Sequence, residues 1–373
     1  TVAQAAMLAG MLQAPTTYNP LSNQSAALNR RNQVLENMVA NDKLSESDAT
    51  TLEATSIGAS NHTLTNSSYN YPYYFDAVID EAISDYGLTE SEIMNNGYKI
   101  YTTLNQTDQT NLQNDAENSS LNLIGDESQT ASIVLDAKTG GVRAIVGGRG
   151  THVFRGLNRA TQMKRQPGST MKPLVAYAPS LSRGYSYDSL LKNTTMSFGT
   201  DNYTPTNDDG TTTEPIEMYK ALEKSYNIPA VWLLDQIGVS TGYNAAEKLG
   251  LSLTKSDKNL ALALGGLDSG VSPIQLAQAY TSFANNGVMS DSHFITKIVD
   301  ATGKTIAEAK VKHTRVWSKK VANEMTSMML GVYTNGTGIS GKPSGYQVAG
   351  KTGTTESTTV SNRATDAWGV AYT

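Results

Sequence analysis

The chain contains no cysteine, and this absence excludes several kinds of chemistry. Without thiols there are no disulfide bonds, no thiol nucleophile and no cysteine-based metal site, which is compatible with an exported bacterial protein. No apolar run is long enough to cross a bilayer, and no signal peptide is recognisable. A net charge of -5 leaves no basic excess, so the composition argues against a nucleic-acid partner.

Histidine is also scarce, and no pattern assigns it a catalytic role. The four histidines, which are scattered in polar contexts, are His62, His152, His293 and His313. We predict that they lie at the surface and form neither a catalytic triad nor a metal site. Glu247 lies on a predicted helix, but its neighbours do not mark it as a catalytic base. We expect it to be a solvated helix residue.

A length of 373 residues is enough for two domains. Residues 1–56 predict a small helical segment whose first helix has no start signal, so we expect a cut N-terminus with which a membrane anchor could have been lost. Residues 57–130 are predicted as a linker region, polar and rich in breakers up to residue 70 and then a small mixed element joined to the main domain. The main domain is expected to span 131–373.

The main domain opens with two short β-branched runs around a Lys-Thr-Gly-Gly turn, which predict a β-hairpin at 132–146. Helical segments come next, including one at 274–286 that Ser272 caps. Strands are predicted at 348–355 and at 366–373. Strands at both ends with helices between them favour an α+β packing over a parallel sheet.

Pro167-Gly168-Ser169 places a hydroxyl at a chain break just before an apolar, helix-like run. Lys172 follows one turn later, and residues three apart share one helix face, about 4.5 Å apart along the axis. A serine is a poor nucleophile unless a base takes its proton. A lysine pKa would have to fall by roughly three units for that role, which burial and a second cation can supply.

Two further motifs occur in order, Ser225-Tyr226-Asn227 and Lys351-Thr352-Gly353, and the second supplies another lysine. Each motif type also occurs elsewhere: Ser189/Lys192, Ser252/Lys255, Ser68-Tyr69-Asn70 and Lys138-Thr139-Gly140. Only Ser169/Lys172, Ser225-Tyr226-Asn227 and Lys351-Thr352-Gly353 give all three motifs in this order, and only this Lys-Thr-Gly lies in a predicted strand. Ser-x-x-Lys, Ser-x-Asn and Lys-Thr-Gly in this order are the known motif set of penicillin-binding proteins and class A β-lactamases.

The chain resembles the C-terminal part of a class A penicillin-binding protein over nearly its whole length. Three stretches are similar to that family: the segment from Leu157 to Ser169, the segment Gly270–Ala277, and Asp366-Ala367-Trp368. Residues 1–40 resemble the tail of the preceding glycosyltransferase domain but carry no catalytic glutamate motif, so glycan polymerisation is not expected. The family sheet continues with a further strand and a helix beyond Thr373. We therefore expect a truncated C-terminal end with an unfilled place in the sheet.

The resemblance implies a penicillin-binding/β-lactamase-like fold, an antiparallel sheet flanked by helices, and a serine D,D-transpeptidase. Ser169 is expected to attack the bond between two terminal D-alanines, with Lys172 as its base. The remaining implied roles are the proton relay at Ser225, the second cation at Lys351, substrate contacts at Asn227, Thr352, Gly353 and Thr354, and an oxyanion hole from the backbone of Ser169 and Thr354.

The expected partners are donor and acceptor stem peptides of peptidoglycan, β-lactams as covalent inhibitors and candidate cell-wall synthesis proteins. No cofactor, metal or nucleic acid is expected. The implied location is the extracytoplasmic face of the bacterial membrane, with the membrane reached only through a missing N-terminal anchor. A D,D-carboxypeptidase and a non-catalytic β-lactam sensor or stem-peptide-binding module stay open as alternatives.

Overall fold

A computed structural model describes residues 1–59, 70–118, 128–199, 202–213, 215–356 and 364–373. The chain divides into two compact units, residues 1–64 and residues 65–373. Within the described ranges, no helix has the length and apolarity needed to cross a membrane.

The first unit is helical, as predicted. Its helices are α1 (Val2–Met11), α2 (Gln24–Ala40) and α3 (Glu46–Glu53). The Ser45 hydroxyl caps α3 by accepting the Asp48 N–H at 3.1 Å. Arg31 is buried and donates to the backbone oxygens of Glu53 at 2.7 Å and Thr55 at 2.8 Å. This guanidinium therefore satisfies carbonyls at the end of α3 that the helix itself leaves without a partner.

The second unit contains the remaining elements. In chain order they are α4 (Pro72–Ser84), α5 (Glu90–Asn95), β1 (Lys99–Thr102), α6 (Gln106–Glu117), β2 (Ser132–Leu135), β3 (Val142–Val146), α7 (Ala178–Leu181), β4 (Leu190–Leu191), β5 (Ile216–Glu217), α8 (Met218–Glu223), α9 (Asn227–Ile237), α10 (Val239–Lys248), α11 (Pro273–Ala284), β6 (Val288–Ser290), β7 (Ile295–Val299), β8 (Thr305–Glu308), β9 (His313–Arg315), α12 (Lys319–Thr334), β10 (Ala349–Glu356) and β11 (Ala364–Tyr372).

The predicted linker region contributes folded elements to this second unit. β1 pairs with β7, and the Glu81 carboxylate on α4 accepts the N–H groups of Phe294 at 2.6 Å and Ile295 at 2.9 Å. Residues 70–118 are therefore held to the later chain by hydrogen bonds, which agrees with the predicted mixed element. The stretch 60–69 lies outside the described residues, and the domain boundaries drawn from the sequence stay predictions.

The α+β class is confirmed, but the strands form several small antiparallel sheets instead of one. The sheets are β1–β7–β8, β2–β3, β4–β5, β6–β9 and β10–β11. In the described residues β2 and β11 each pair along one edge only, and a cavity of about 820 Å³ lined by both strands and α11 lies there. The implied single sheet is interrupted because no described strand bridges these two edges. A further strand at that place stays a prediction.

The segment after Ser169 lies at the centre of the main hydrophobic core. Met171, Leu174, Val175 and Tyr177 are fully buried among residues of α9, α11 and α12. A polar side chain on this segment therefore loses its hydration. The fold in this way desolvates Lys172, which is also fully buried.

The helix predicted after Ser169 is irregular. Gly168–Met171 form a 3₁₀ turn and Pro173–Tyr177 a π-helical turn, and only Ala178–Leu181 (α7) are α-helical. Pro173 and Pro179 have no N–H to donate, which interrupts the regular helical ladder, and the Pro173 carbonyl accepts from Ala178 five residues on.

The helix that precedes the Ser225 motif is short. The described chain there begins with β5, and only Met218–Glu223 (α8) are helical. Glu217 is extended, and the Met218 N–H donates to Ser189 O at 2.9 Å. Pairing with β4 thus replaces the first helical turn.

Candidate active site

The 3₁₀ turn Gly168–Met171 carries Ser169 and is closed by a hydrogen bond from Lys172 N–H to Ser169 O. Side chains three residues apart eclipse each other in a 3₁₀ turn, so Ser169 and Lys172 project to the same side. Tyr280 Oη donates to Thr170 O at 2.8 Å and fixes the turn from α11. Ser169 is partly exposed, and within the described residues its hydroxyl makes no hydrogen bond.

The side chain of Lys172 is buried, and its amine contacts polar groups. Its Nζ donates to Ser225 O, to Asn227 Oδ1 at 2.6 Å and to Ser225 Oγ at 3.3 Å. Burial lowers the pKa of Lys172 well below its usual value, and the neighbouring Lys351 lowers it further, whereas the charge of Asp208 opposes both effects. The neutral amine that a general base requires is therefore favoured by the surroundings of this side chain.

Lys351 also contacts Ser225. Its fully buried Nζ donates to Ser225 Oγ at 2.7 Å and to Thr352 O at 3.0 Å. Burial lowers the pKa of Lys351 to about 7, against the charge of Asp208. The charge of Lys351 therefore depends on pH near neutrality, and a bound carboxylate would favour the charged form.

Ser225 and Asn227 occupy a tight, strained connection between α8 and α9. Ser225 has a φ of +58°, an uncommon conformation for a residue with a side chain. Asn227 begins α9, and its Nδ2 donates to Thr206 O at 2.8 Å and to Asp208 Oδ1 at 2.9 Å. The amide of Asn227 thus links Lys172 to the polar segment before α8.

The Lys351-Thr352-Gly353-Thr354 stretch lies on β10, opposite Trp368 and its neighbours on β11. Gly353 packs against the Ser169 turn so closely that a Cβ there would lie 2.4 Å from Pro167 O. A Cβ built on Gly168, whose φ is +57°, would in turn lie 3.0 Å from Thr354 N. The backbones of the Ser169 turn and of Thr354 are therefore neighbours, as the expected oxyanion hole requires.

The structure thus brings together Lys172, Ser225, Asn227 and Lys351 by direct hydrogen bonds, and it packs the Ser169 turn against Gly353 and Thr354. Thr352 is partly buried and its hydroxyl lies 2.6 Å from that of Thr337. The other Lys-Thr-Gly stretch, residues 138–140, lies in the turn between β2 and β3.

Sequence reasoning missed Asn207, a buried residue that organises this site. Its Oδ1 accepts the N–H groups of Asn227 at 2.8 Å and Ile228 at 3.1 Å, which caps α9 from a distance. Tyr226, at the N-cap position, makes no capping bond of its own. The sequence offered no signal for this remote cap, because Ser225 and Asn227 stand at the helix start as apparent local caps.

Two other expectations about titratable residues have different outcomes. His152 is buried, and its Nε2 lies 2.9 Å from Asp76 Oδ2, so its predicted surface position is wrong. This contact joins α4 to the segment after β3. Glu247 is exposed on α10, as predicted. Among the residues that the structure describes, no group of three or more acidic or histidine side chains could hold a metal ion.

Residues 130–373 match the family described as penicillin binding protein transpeptidase domain. The chain belongs to this family. Residues 1–39 match the transglycosylase family, so the transpeptidase domain follows a short transglycosylase fragment. The expected membership in the penicillin-binding proteins is confirmed by these two matches.

Curated relatives agree with this assignment. Penicillin-binding protein 2a of Streptococcus pneumoniae is 47% identical over 382 residues, which cover 99% of this chain and 52% of the relative. Penicillin-binding protein 1F of Bacillus subtilis is 37% identical over 375 residues, or 100% of this chain and 51% of the relative. The chain therefore spans about half the length of these curated relatives.

Solved structures share the fold. Penicillin-binding protein 1A of Haemophilus influenzae has a TM-score of 0.68 at 21% identity, covering 98% of this chain and 73% of its own. The PonA1 protein of Mycobacterium tuberculosis, solved in complex with penicillin V, has a TM-score of 0.70 at 24% identity and 82% coverage of both chains. At these identities the likeness establishes the penicillin-binding transpeptidase fold.

Proposed function

We propose that this chain is the D,D-transpeptidase part of a bifunctional peptidoglycan synthase and that Ser169 is its nucleophile. One observation supports this most: the buried amines of Lys172 and Lys351 lie 3.3 and 2.7 Å from one hydroxyl, Ser225 Oγ, beside the turn that presents Ser169. A lowered lysine pKa beside an accessible serine is the arrangement that an acyl-transfer nucleophile needs.

In the proposed reaction, neutral Lys172 takes the proton of Ser169 as Oγ attacks the carbonyl between two terminal D-alanines. The N–H groups of Ser169 and Thr354 stabilise the oxyanion, and Asn227 holds the peptide backbone of the donor. Ser225 then delivers its proton to the departing D-alanine amine and takes the proton held by Lys172, which becomes neutral again. An amine of a second stem peptide attacks the acyl-enzyme and gives a proton to Lys172, which passes it to Ser169 as the ester bond breaks and the cross-link forms.

Lys351 and the hydroxyls of Thr352 and Thr354 provide the site for the donor's terminal carboxylate. The carboxylate favours the charged form of Lys351, and that charge in turn favours neutral Lys172. β-Lactams carry a carboxylate and a reactive amide, so they acylate Ser169 by the same first step. The energy of cross-linking comes from the cleaved peptide bond, and the reaction uses no nucleotide or cofactor.

The cellular setting follows from the same proposal. The substrates are peptidoglycan stem peptides, so the domain acts on the extracytoplasmic face of the bacterial membrane. Proteins of cell-wall synthesis are its candidate partners. Residues 1–39 match only a fragment of a transglycosylase, and we expect no glycan polymerisation from this chain.

Intact-mass and peptide-mapping mass spectrometry after incubation with benzylpenicillin tests the proposal. We expect one adduct per chain, on the peptide that contains Ser169, and none on Ser169→Ala. An adduct on Ser189 or Ser252 would show that the motif assignment is wrong. Incubation with a donor peptide and an acceptor amine then separates cross-linking from hydrolysis, because a D,D-carboxypeptidase would release the acid even with acceptor in excess.

A further inference from the structure

The segment between α12 and the 3₁₀ turn at Ile339–Gly341 is attached to the chain that leads into Ser225. Thr337 N–H donates to Glu223 O at 3.2 Å, and Lys224 Nζ donates to Asn335 O at 3.1 Å. The approach is so close that a Cβ on Gly336 would lie 2.2 Å from Glu223 O. This segment, 335–338, is therefore fixed to the end of α8 by its backbone.

The same segment reaches β10 with a side chain. The Thr337 hydroxyl lies 2.6 Å from the hydroxyl of Thr352. Thr352 is held in β10 opposite Gly369 of β11, and its carbonyl accepts from Lys351 Nζ at 3.0 Å. Segment 335–338 thus connects the Ser225 motif to the Lys-Thr-Gly motif on the side where the donor carboxylate is proposed to bind.

The direction of this hydroxyl pair matters for an anion. Each threonine hydroxyl has one proton to donate. When Thr337 donates to Thr352, the Thr352 proton is free to point at a carboxylate, and a chain of two such bonds polarises the outer one. With the opposite direction, Thr352 would present only a lone pair to a negative group.

We infer that Thr337 is a positioning residue: its hydroxyl donates to Thr352 and so directs the Thr352 proton towards the terminal carboxylate of the donor peptide or β-lactam. The inference rests on the proposed function, because it assigns a task within that site. It predicts that Thr337 matters only for substrates that carry the carboxylate.

The test compares second-order acylation rate constants for benzylpenicillin and for its methyl ester, which has no free carboxylate. We expect Thr337→Val to lower the rate with benzylpenicillin by about tenfold, since one hydrogen bond to the anion is weakened. The rate of Thr337→Val with the ester should stay within about twofold of the parent rate. Thr337→Ser keeps a hydroxyl, so its rate with benzylpenicillin should also stay within about twofold of the parent rate. Thr334→Val is the matched control, because its hydroxyl donates to Leu330 O at 3.1 Å within α12.

A double variant separates positioning from a general structural effect. If Thr337 acts through Thr352, Thr337→Val should add little to the loss already caused by Thr352→Val. An equal loss with penicillin and with the ester, or fully additive losses in the double variant, would overturn the inference while leaving the proposed function intact. A folded parent chain that neither compound labels at Ser169 would instead overturn the proposed function and this inference with it.

Discussion

Lys172 and Lys351 reach one serine hydroxyl from two directions, yet the proposed reaction asks different things of them. Both side chains are fully buried. Lys172 must lose a proton to act as a base, and its pKa is lowered by burial and then by Lys351. Lys351 has to be positive when it meets a carboxylate. Arginine distinguishes the two tasks, because it keeps its charge and cannot be deprotonated in a protein.

Lys172→Arg should reduce acylation about as completely as Lys172→Ala, by about 10²–10⁴-fold, which is the usual contribution of a general base. Lys351→Arg should keep part of the rate, although its longer fork fits the buried position less well. Stopped-flow rates with a fluorescent penicillin, measured across pH on variants verified as folded, decide the matter. A fast Lys172→Arg together with an inactive Lys351→Arg would show that Lys172 is not the base.

Asp208 holds the two lysines closer to their charged forms. Its charge opposes the lowered pKa of Lys172 and of Lys351. Asp208→Asn removes that charge, so the pKa of both amines falls further. Acylation requires neutral Lys172, so the acid limb of the pH profile of the acylation rate should move to lower pH. Because the two lysines interact, this limb reports the titration of the pair and not of one residue. Acylation rates of parent and variant across pH measure this shift.

Asp209→Asn is the control for this prediction. The Asp209 carboxylate accepts the Thr211 N–H at 2.9 Å and lies 3.3 Å from the Tyr226 hydroxyl, and the pKa shifts of the two lysines do not depend on it. Its substitution should leave the acid limb in place. Equal displacement by both variants would mean that net charge, and not the position of Asp208, sets the profile.

At the scale of elements, the site depends on the contact between the Ser169 turn and β10. Gly168 has a φ of +57°, and a Cβ there would lie 2.6 Å from Thr354 O. Gly87 has a similar φ of +68° but nothing within 4 Å of an added Cβ. The two glycines therefore share the backbone requirement and differ in the space around them.

Gly87→Ala should cost about 1–2 kcal/mol of the free energy of unfolding, from the left-handed backbone alone. Gly168→Ala should cost a further 1–3 kcal/mol or so, because the methyl group forces the turn and the strand apart. Denaturant titration measures both values, and acylation should fall only for Gly168→Ala. Equal losses of stability with unchanged acylation would contradict the close packing of these two elements.

At the scale of the whole molecule, the arrangement of acidic residues bears on the fate of an acyl-enzyme. Glu247 is exposed on α10, and Asp208 is bound to the Asn227 amide. No described carboxylate hydrogen-bonds to Lys172 or Lys351. The nearest acidic group named by these contacts, Asp208, therefore acts on the two lysines through its charge and through Asn227 and not through a direct hydrogen bond.

We expect the penicilloyl-enzyme to persist, because we expect no glutamate to serve as a deacylation base, a role that would accelerate hydrolysis by about 10²–10⁴-fold. Time-resolved intact-mass spectrometry after removal of free penicillin measures the lifetime of the adduct. Glu247→Gln, as a surface control, should leave that lifetime unchanged. Release of many equivalents of hydrolysed penicillin per chain would place the protein functionally with the β-lactamases.

The sequence by itself determined the elements whose signals are local. Ser272 caps α11 where predicted, and the hairpin of β2 and β3 turns at its Lys-Thr-Gly-Gly stretch. Caps and turns depend on residues within about four positions, so one chain is enough to find them. The order of the three motifs likewise singled out Ser169 without any coordinates.

Only the tertiary structure decided which polar groups meet. Lys351 contacts Ser225, which is 126 positions away in the chain, and Thr337 contacts Thr352. Asn207 caps α9, and His152 pairs with Asp76 instead of facing solvent. These contacts follow from how the core brings distant segments together and from the need of each buried polar group for a partner. Local sequence patterns carry no information about that partner.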